Sequence, residues 1–164
     1  MNYKGFRYIA TGLFIVILLV IASIFFLNGG FIGTSINHLT INATDYTYYL
    51  GYEMTWDGIV KPVIRDVYLT NAQGKILIMP ENQSLDKLVF IDPSNNIGSI
   101  AAAEINEDNL VSYRNYNMKT KKINLVIKVD AADEKLKEAE GIIIDYSILG
   151  VRKSTMIDIK FPNK

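Results

Sequence analysis

Ser84 and Lys87 are the first residues whose types and spacing could do chemistry. Three residues apart, a lysine desolvated enough to lose its proton could act as base for a serine nucleophile. His38 is the single histidine, and cysteine is absent. Zinc and copper centres draw on several imidazoles or thiolates, so His38 reads as a structural side chain and no metal or other cofactor is expected. Met54, Met79, Met118 and Met156 could ligate copper(I), but each lies in or beside a strand-like run, where a thioether fills core space. Asp92, Ser94 and Asn96 alternate oxygen-bearing side chains, as calcium loops do. Ile97 stands where such a loop needs glycine, and Ala103 where it needs glutamate, so Asp92-Pro93-Ser94-Asn95 reads as a turn. Glu104, Glu107 and Asp108 read as a solvated acidic face rather than an acid and base pair.

Three short stretches resemble known motifs. Ser84-Leu85-Asp86-Lys87 resembles the S-x-x-K of penicillin-binding enzymes, without the companion SDN and KTG segments. Gly150-Val151-Arg152-Lys153-Ser154-Thr155 resembles a phosphate loop but lacks its first glycine and its following helix, and reads as a hairpin turn. Lys4-Gly5-Phe6 before an apolar run resembles a type IV prepilin leader. Ala10 occupies the place of that family's acidic residue, and Asn28-Gly29-Gly30 interrupts the helix that a pilin would continue. The resemblances imply two alternatives: an envelope serine hydrolase using Ser84 and Lys87, and a minor pilin-like subunit.

Tyrosine is abundant, with Tyr46, Tyr48, Tyr49, Tyr52, Tyr68, Tyr113, Tyr116 and Tyr146 beyond the apolar run. Strands favour tyrosine, and so do recognition surfaces. Tyr49, Tyr113 and Tyr116 are the candidate contact surface. Tyr49 lies off the apolar face of its strand and is the foremost of them.

The elements that must position these residues divide the chain in two. Tyr8–Leu27 reads YIATGLFIVILLVIASIFFL, without charge or proline, long enough to cross a bilayer core as a helix. Lys4 and Arg7 flank it on one side, and the next basic residue is Lys61. That asymmetry predicts residues 1–7 in the cytoplasm and the C-terminal part outside. The run exceeds a signal-peptide core, and Phe25, Phe26 and Leu27 stand where a cleavage site would need small residues, so an uncleaved anchor is expected. Residues 28–35, NGGFIGTS, read as a flexible juxtamembrane link.

Residues 36–164 are expected to form an extracytoplasmic all-β domain. Tyr46, Tyr48, Leu50, Tyr52, Met54 and Trp56 share one face of a long strand. Val63–Thr70 and Lys75–Met79 predict a hairpin; Leu85–Ile91, Leu110–Tyr116 and Ile123–Val129 predict further strands. Asp130–Gly141 predicts a short crossover helix, with Asp130 as cap and Gly141 at the stop. Ile142–Leu149 and Ser154–Phe161 predict a closing hairpin around the loop Gly150–Lys153. The pattern suits an antiparallel sandwich of immunoglobulin-like architecture, without the hallmark disulfide.

The chain carries 17 basic and 17 acidic residues. Beyond Lys4 and Arg7 the balance is about −2, which gives no case for nucleic acid and none for strong adsorption to an anionic surface. The expectation is a non-enzymatic binding or accessory module. It touches the membrane through residues 8–27 and a protein or cell-envelope component through its domain.

Overall fold

The computed structural model describes residues 3–41, 47–77, 85–94, 107–130, 136 and 138–159; of these, side chains are described for 8–9, 11–33, 49–77, 85–94, 107–129, 136 and 138–159. It holds one long helix and two antiparallel sheets. Helix α1, Tyr3–Leu27, spans 25 residues, about 37 Å at 1.5 Å per residue. Six consecutive apolar residues, Leu13 to Leu18, are all exposed, so this stretch of the helix is apolar all round, while Leu27 at its end packs against the core of the domain. Among the described residues no helix is long and apolar enough to cross a membrane.

Strands β1 (Phe31–Ile41), β2 (Thr47–Trp56), β4 (Val89–Asp92), β5 (Val111–Ser112) and β7 (Lys122–Asp130) form one sheet in the order β1-β2-β7-β4-β5. Strands β3 (Val63–Thr70), β6 (Tyr116–Asn117), β8 (Gly141–Ile148) and β9 (Val151–Asp158) form the other in the order β6-β3-β8-β9. The architecture is that of a β-sandwich. Period-two alternation puts Leu50, Tyr52, Met54 and Trp56 of β2 and Ile123, Leu125, Ile127 and Val129 of β7 into the core. Ile64, Val67, Leu69, Ile142, Ile144, Tyr146 and Ile148 meet them from the other sheet. At the sandwich edge β1 runs beside β9, and a Cβ on Gly33 would come within 2.3 Å of Ile157. Glycine is what lets the two sheet edges approach so closely.

The structure departs from the sequence reading at several elements. The stretch 28–35 is not a free link: β1 begins at Phe31, which is buried in the core. Leu85–Lys87 is a 3-10 turn, with β4 starting only at Val89. The region 110–116 splits into β5 on one sheet and β6 on the other, so the chain changes sheets at Tyr113–Asn115. The β8–β9 loop is two residues rather than four. Leu149 and Gly150 take φ of 49° and 85°, both on the positive side, the hairpin geometry that matches strand twist. Of Lys75–Met79, Ile76 bridges Thr70, and residues 78–79 lie outside the described residues. The expected crossover helix falls mostly there too, although Leu136 is helical and buried.

Candidate functional site

The passage from α1 into β1 is a packed joint. Asn28, Gly29 and Gly30 follow the helix, and Gly29 has φ of 149°. Its Cα lies against the Trp56 indole so closely that an added Cβ would sit 2.4 Å from the ring. Phe31, Trp56 and Tyr146 form a triangle of rings with centroids 5.2 to 5.3 Å apart, mostly edge to face, a geometry worth about 0.5–1.5 kcal/mol per pair beyond area burial. The polar edges are also satisfied. Trp56 Nε1–H donates to Val60 O at 2.8 Å, and the Tyr146 hydroxyl donates to Gly29 O at 3.0 Å. Asp57 Oδ1 accepts from Gly30 N–H at 2.5 Å. Lys153 Nζ donates to Leu27 O at 2.5 Å, placing a cation on the carbonyl end of α1, where the helix dipole favours it.

Beside this joint, the outer face of the four-stranded sheet carries a cleft of about 590 Å³. A bulge in β3 between Ile64 and Asp66 makes it. Ile64 and Val67 both face the core, three residues apart, so Arg65 and Asp66 are both turned outward. Two rows of opposite sign result. In one, Asp66 is register partner of Asp145, and Asp145 of Ser154. In the other, Ser147 lies between Arg65 and Arg152: Arg65 Nε–H donates to Ser147 Oγ at 2.9 Å, and Arg152 is its register partner on β9. The rows are two residues apart along the strands, about 7 Å.

Among the described residues Arg65 is aimed by neutral groups, donating also through Nη1 to Asn115 Oδ1 at 2.7 Å. Asn115 holds a left-handed φ of 56°, a conformation asparagine tolerates. Two carboxylates directly opposite on neighbouring strands repel one another. Burial, followed by the charges of Asp66 and Asp145, pushes the Tyr68 hydroxyl above its ordinary pKa. The site can bind a group carrying both signs of charge: anion to the guanidiniums, cation to the carboxylates.

The three candidate tyrosines do not form one exposed surface. Tyr49 is on the outer face of β2, as its parity requires, but it is buried. Its hydroxyl donates to Glu107, its ring lies 5.8 Å from Lys128 Nζ, and Lys128 donates to Glu107 at 2.7 Å. Tyr113 is wholly buried in the core and donates to Asp86 Oδ1 at 2.8 Å; burial first, then Asp86, holds its hydroxyl well above the usual range. Tyr116 is half-buried on β6. Sequence reasoning missed Arg65, Asp66, Asp145 and Arg152. The one signal for them was the odd spacing Ile64-Val67-Leu69, which breaks the period of two.

The remaining candidates are dispersed. Lys87 is exposed at the end of its 3-10 turn, and Ser84 lies outside the described residues. The His38 backbone pairs with Gly51 in the sheet. Asp92 caps its own turn, accepting from Ser94 N–H at 2.9 Å. Among the described residues, no three His, Cys, Asp or Glu side chains gather to hold a metal ion. Comparisons with protein-family models, with curated proteins and with solved structures found no match, so the fold and the site stand on the chain's own geometry.

Proposed function

We propose that this chain is a single-pass membrane protein. In this reading α1 crosses the bilayer and the sandwich, of immunoglobulin-like architecture, stands outside the cytoplasm as a non-enzymatic binding module. The two-signed cleft carries the binding role: its like-charged aspartates and the neutrally held Arg65 gain from a partner more than they gain from each other. The partner class is a protein or cell-envelope component presenting both charges. The membrane role is supported by the exposed apolar side chains of α1 from Leu13 to Leu18 and by the charge-free run over residues 8–27. The exposure of Lys87 weighs against the serine–lysine alternative, since such a base needs desolvation. The strand that begins at Phe31 weighs against a pilin, whose helix would continue.

Two substitutions test this reading in intact cells. Lys75→Cys, in a chain without other cysteines, should react with an impermeant maleimide before lysis; reaction only after lysis contradicts the orientation. A photo-crosslinking residue replacing Ser154 should give a discrete adduct that Arg152→Glu abolishes. Equal adducts from Ser154 and from Lys75, at the far end of the sandwich, contradict a role for the cleft.

A further inference from the structure

The end of the sandwich next to α1 gathers three loops. Trp56 N–H donates to Lys121 O at 2.7 Å, and Met118 N–H donates to Pro62 O at 3.2 Å, so the β2–β3 and β6–β7 loops pack together beside the joint. The β8–β9 turn joins them, because Ser147 is register partner of both Val63 and Arg152. These loops carry Lys61, Lys119 and Lys121, with Lys122 opening β7 and Lys153 close by on β9. Lys122 pairs with Glu53 at 2.9 Å, and Lys153 caps α1. Lys61 donates to a neutral group, the carbonyl of Lys119, and among the described residues none of Lys61, Lys119 and Lys121 forms a salt bridge. Asp57, on the β2–β3 loop, accepts from Gly30 N–H at 2.5 Å. The opposite end of the sandwich carries Glu138, Glu140 and Asp158. A net charge of zero thus hides a local cluster of lysines at the end next to α1.

The basic end also exposes apolar tips. Ile59 is 61% exposed and lines a groove with Phe25 of α1; Leu149 at the hairpin turn is 71% exposed and Val151 44%. Lysines flanking protruding aliphatic groups, level with the last turn of an apolar helix, complement an anionic headgroup layer over hydrocarbon.

We infer that this end of the sandwich docks on an anionic bilayer surface, with Ile59 and Leu149 at the headgroup boundary and Lys61, Lys119 and Lys121 over the phosphates. This rests on α1 being the membrane anchor. Docking fixes the tilt of the domain, and with it the direction in which the cleft opens.

Full-length protein with single cysteines at Leu149 or Ile59, carrying a polarity-sensitive dye, tests this in two vesicle types. One is phosphatidylcholine alone; the other is phosphatidylcholine mixed with phosphatidylglycerol. Docking predicts blue-shifted dye emission in the anionic vesicles only. The shift should be lost at about 1 M salt, where the Debye length is about 3 Å. Lys119→Glu with Lys121→Glu should also abolish it. Water-like emission in both vesicle types, or a shift indifferent to lipid charge and salt, overturns the inference. A dye at Val20 separates the two readings. If it is lipid-buried while Leu149 stays in water, docking fails and the anchor stands. If Val20 is in water too, the anchor and the docking fall together.

Discussion

Trp56 concentrates the energetics of the joint. It is the single tryptophan, and it is fully buried between Phe31, Tyr146, Gly29 and Gly58. Trp56→Ala should cost about 3–5 kcal/mol in a urea titration, since a large aromatic leaves a cavity that a sheet edge cannot fill. The emission of the intact protein should be blue-shifted and move red on unfolding; emission already like that of free tryptophan in water contradicts the packing. Thr70 offers the opposite sign. It is buried against Gly141, and its hydroxyl finds no partner among the described residues. Thr70→Val should be neutral or stabilising by up to about 1–3 kcal/mol, the cost of an unmet buried polar group. A clear loss of stability would show that the hydroxyl is bonded after all.

At the scale of elements, the alternation in β2, β7 and β8 was legible because one face of each strand is core. The sequence face Leu50-Tyr52-Met54-Trp56 is the buried face. Its failure at Tyr49 has a physical cause. Parity says which side a residue is on, not whether a later segment covers it, and the 3-10 turn Glu107–Asn109 brings Glu107 over that tyrosine. The joint was illegible for a related reason. Three glycines in NGGFIGTS read as freedom, yet Gly29 and Gly33 are there for close approach to Trp56 and Ile157. The cleft was invisible because a bulge alters parity locally and charge rows arise only across strands. The β2–Glu107 contact carries a pH prediction. Hydrogen bonds from Lys128 and then Tyr49 lower the Glu107 pKa. A depressed carboxylate stabilises the fold above its unfolded value, near pH 4, and that contribution fades as pH falls through the lower folded value. Glu107→Gln should therefore be the less stable protein at neutral pH, and the two should converge in acid. The effect is small, because Glu107 is half-exposed. A difference that persists unchanged at low pH contradicts the contact.

For the whole molecule, helix and sandwich meet in a packed joint, which gives the cleft a fixed bearing relative to α1. The geometry behind it is the 2.5 Å bond from Lys153 to Leu27, the Tyr146 bond to Gly29 and the ring triangle beneath them. The absence of cysteine permits a clean pair of spin labels, one at Ile24 on α1 and one at Lys75 on the far end of the sandwich. Pulsed electron–electron distance measurement on the full chain in lipid nanodiscs should give a single narrow distribution. Gly29→Ala, which drives a Cβ into the Trp56 ring, should broaden it. A broad distribution in the unsubstituted joint would contradict the account, because the sandwich would then swing freely on its link.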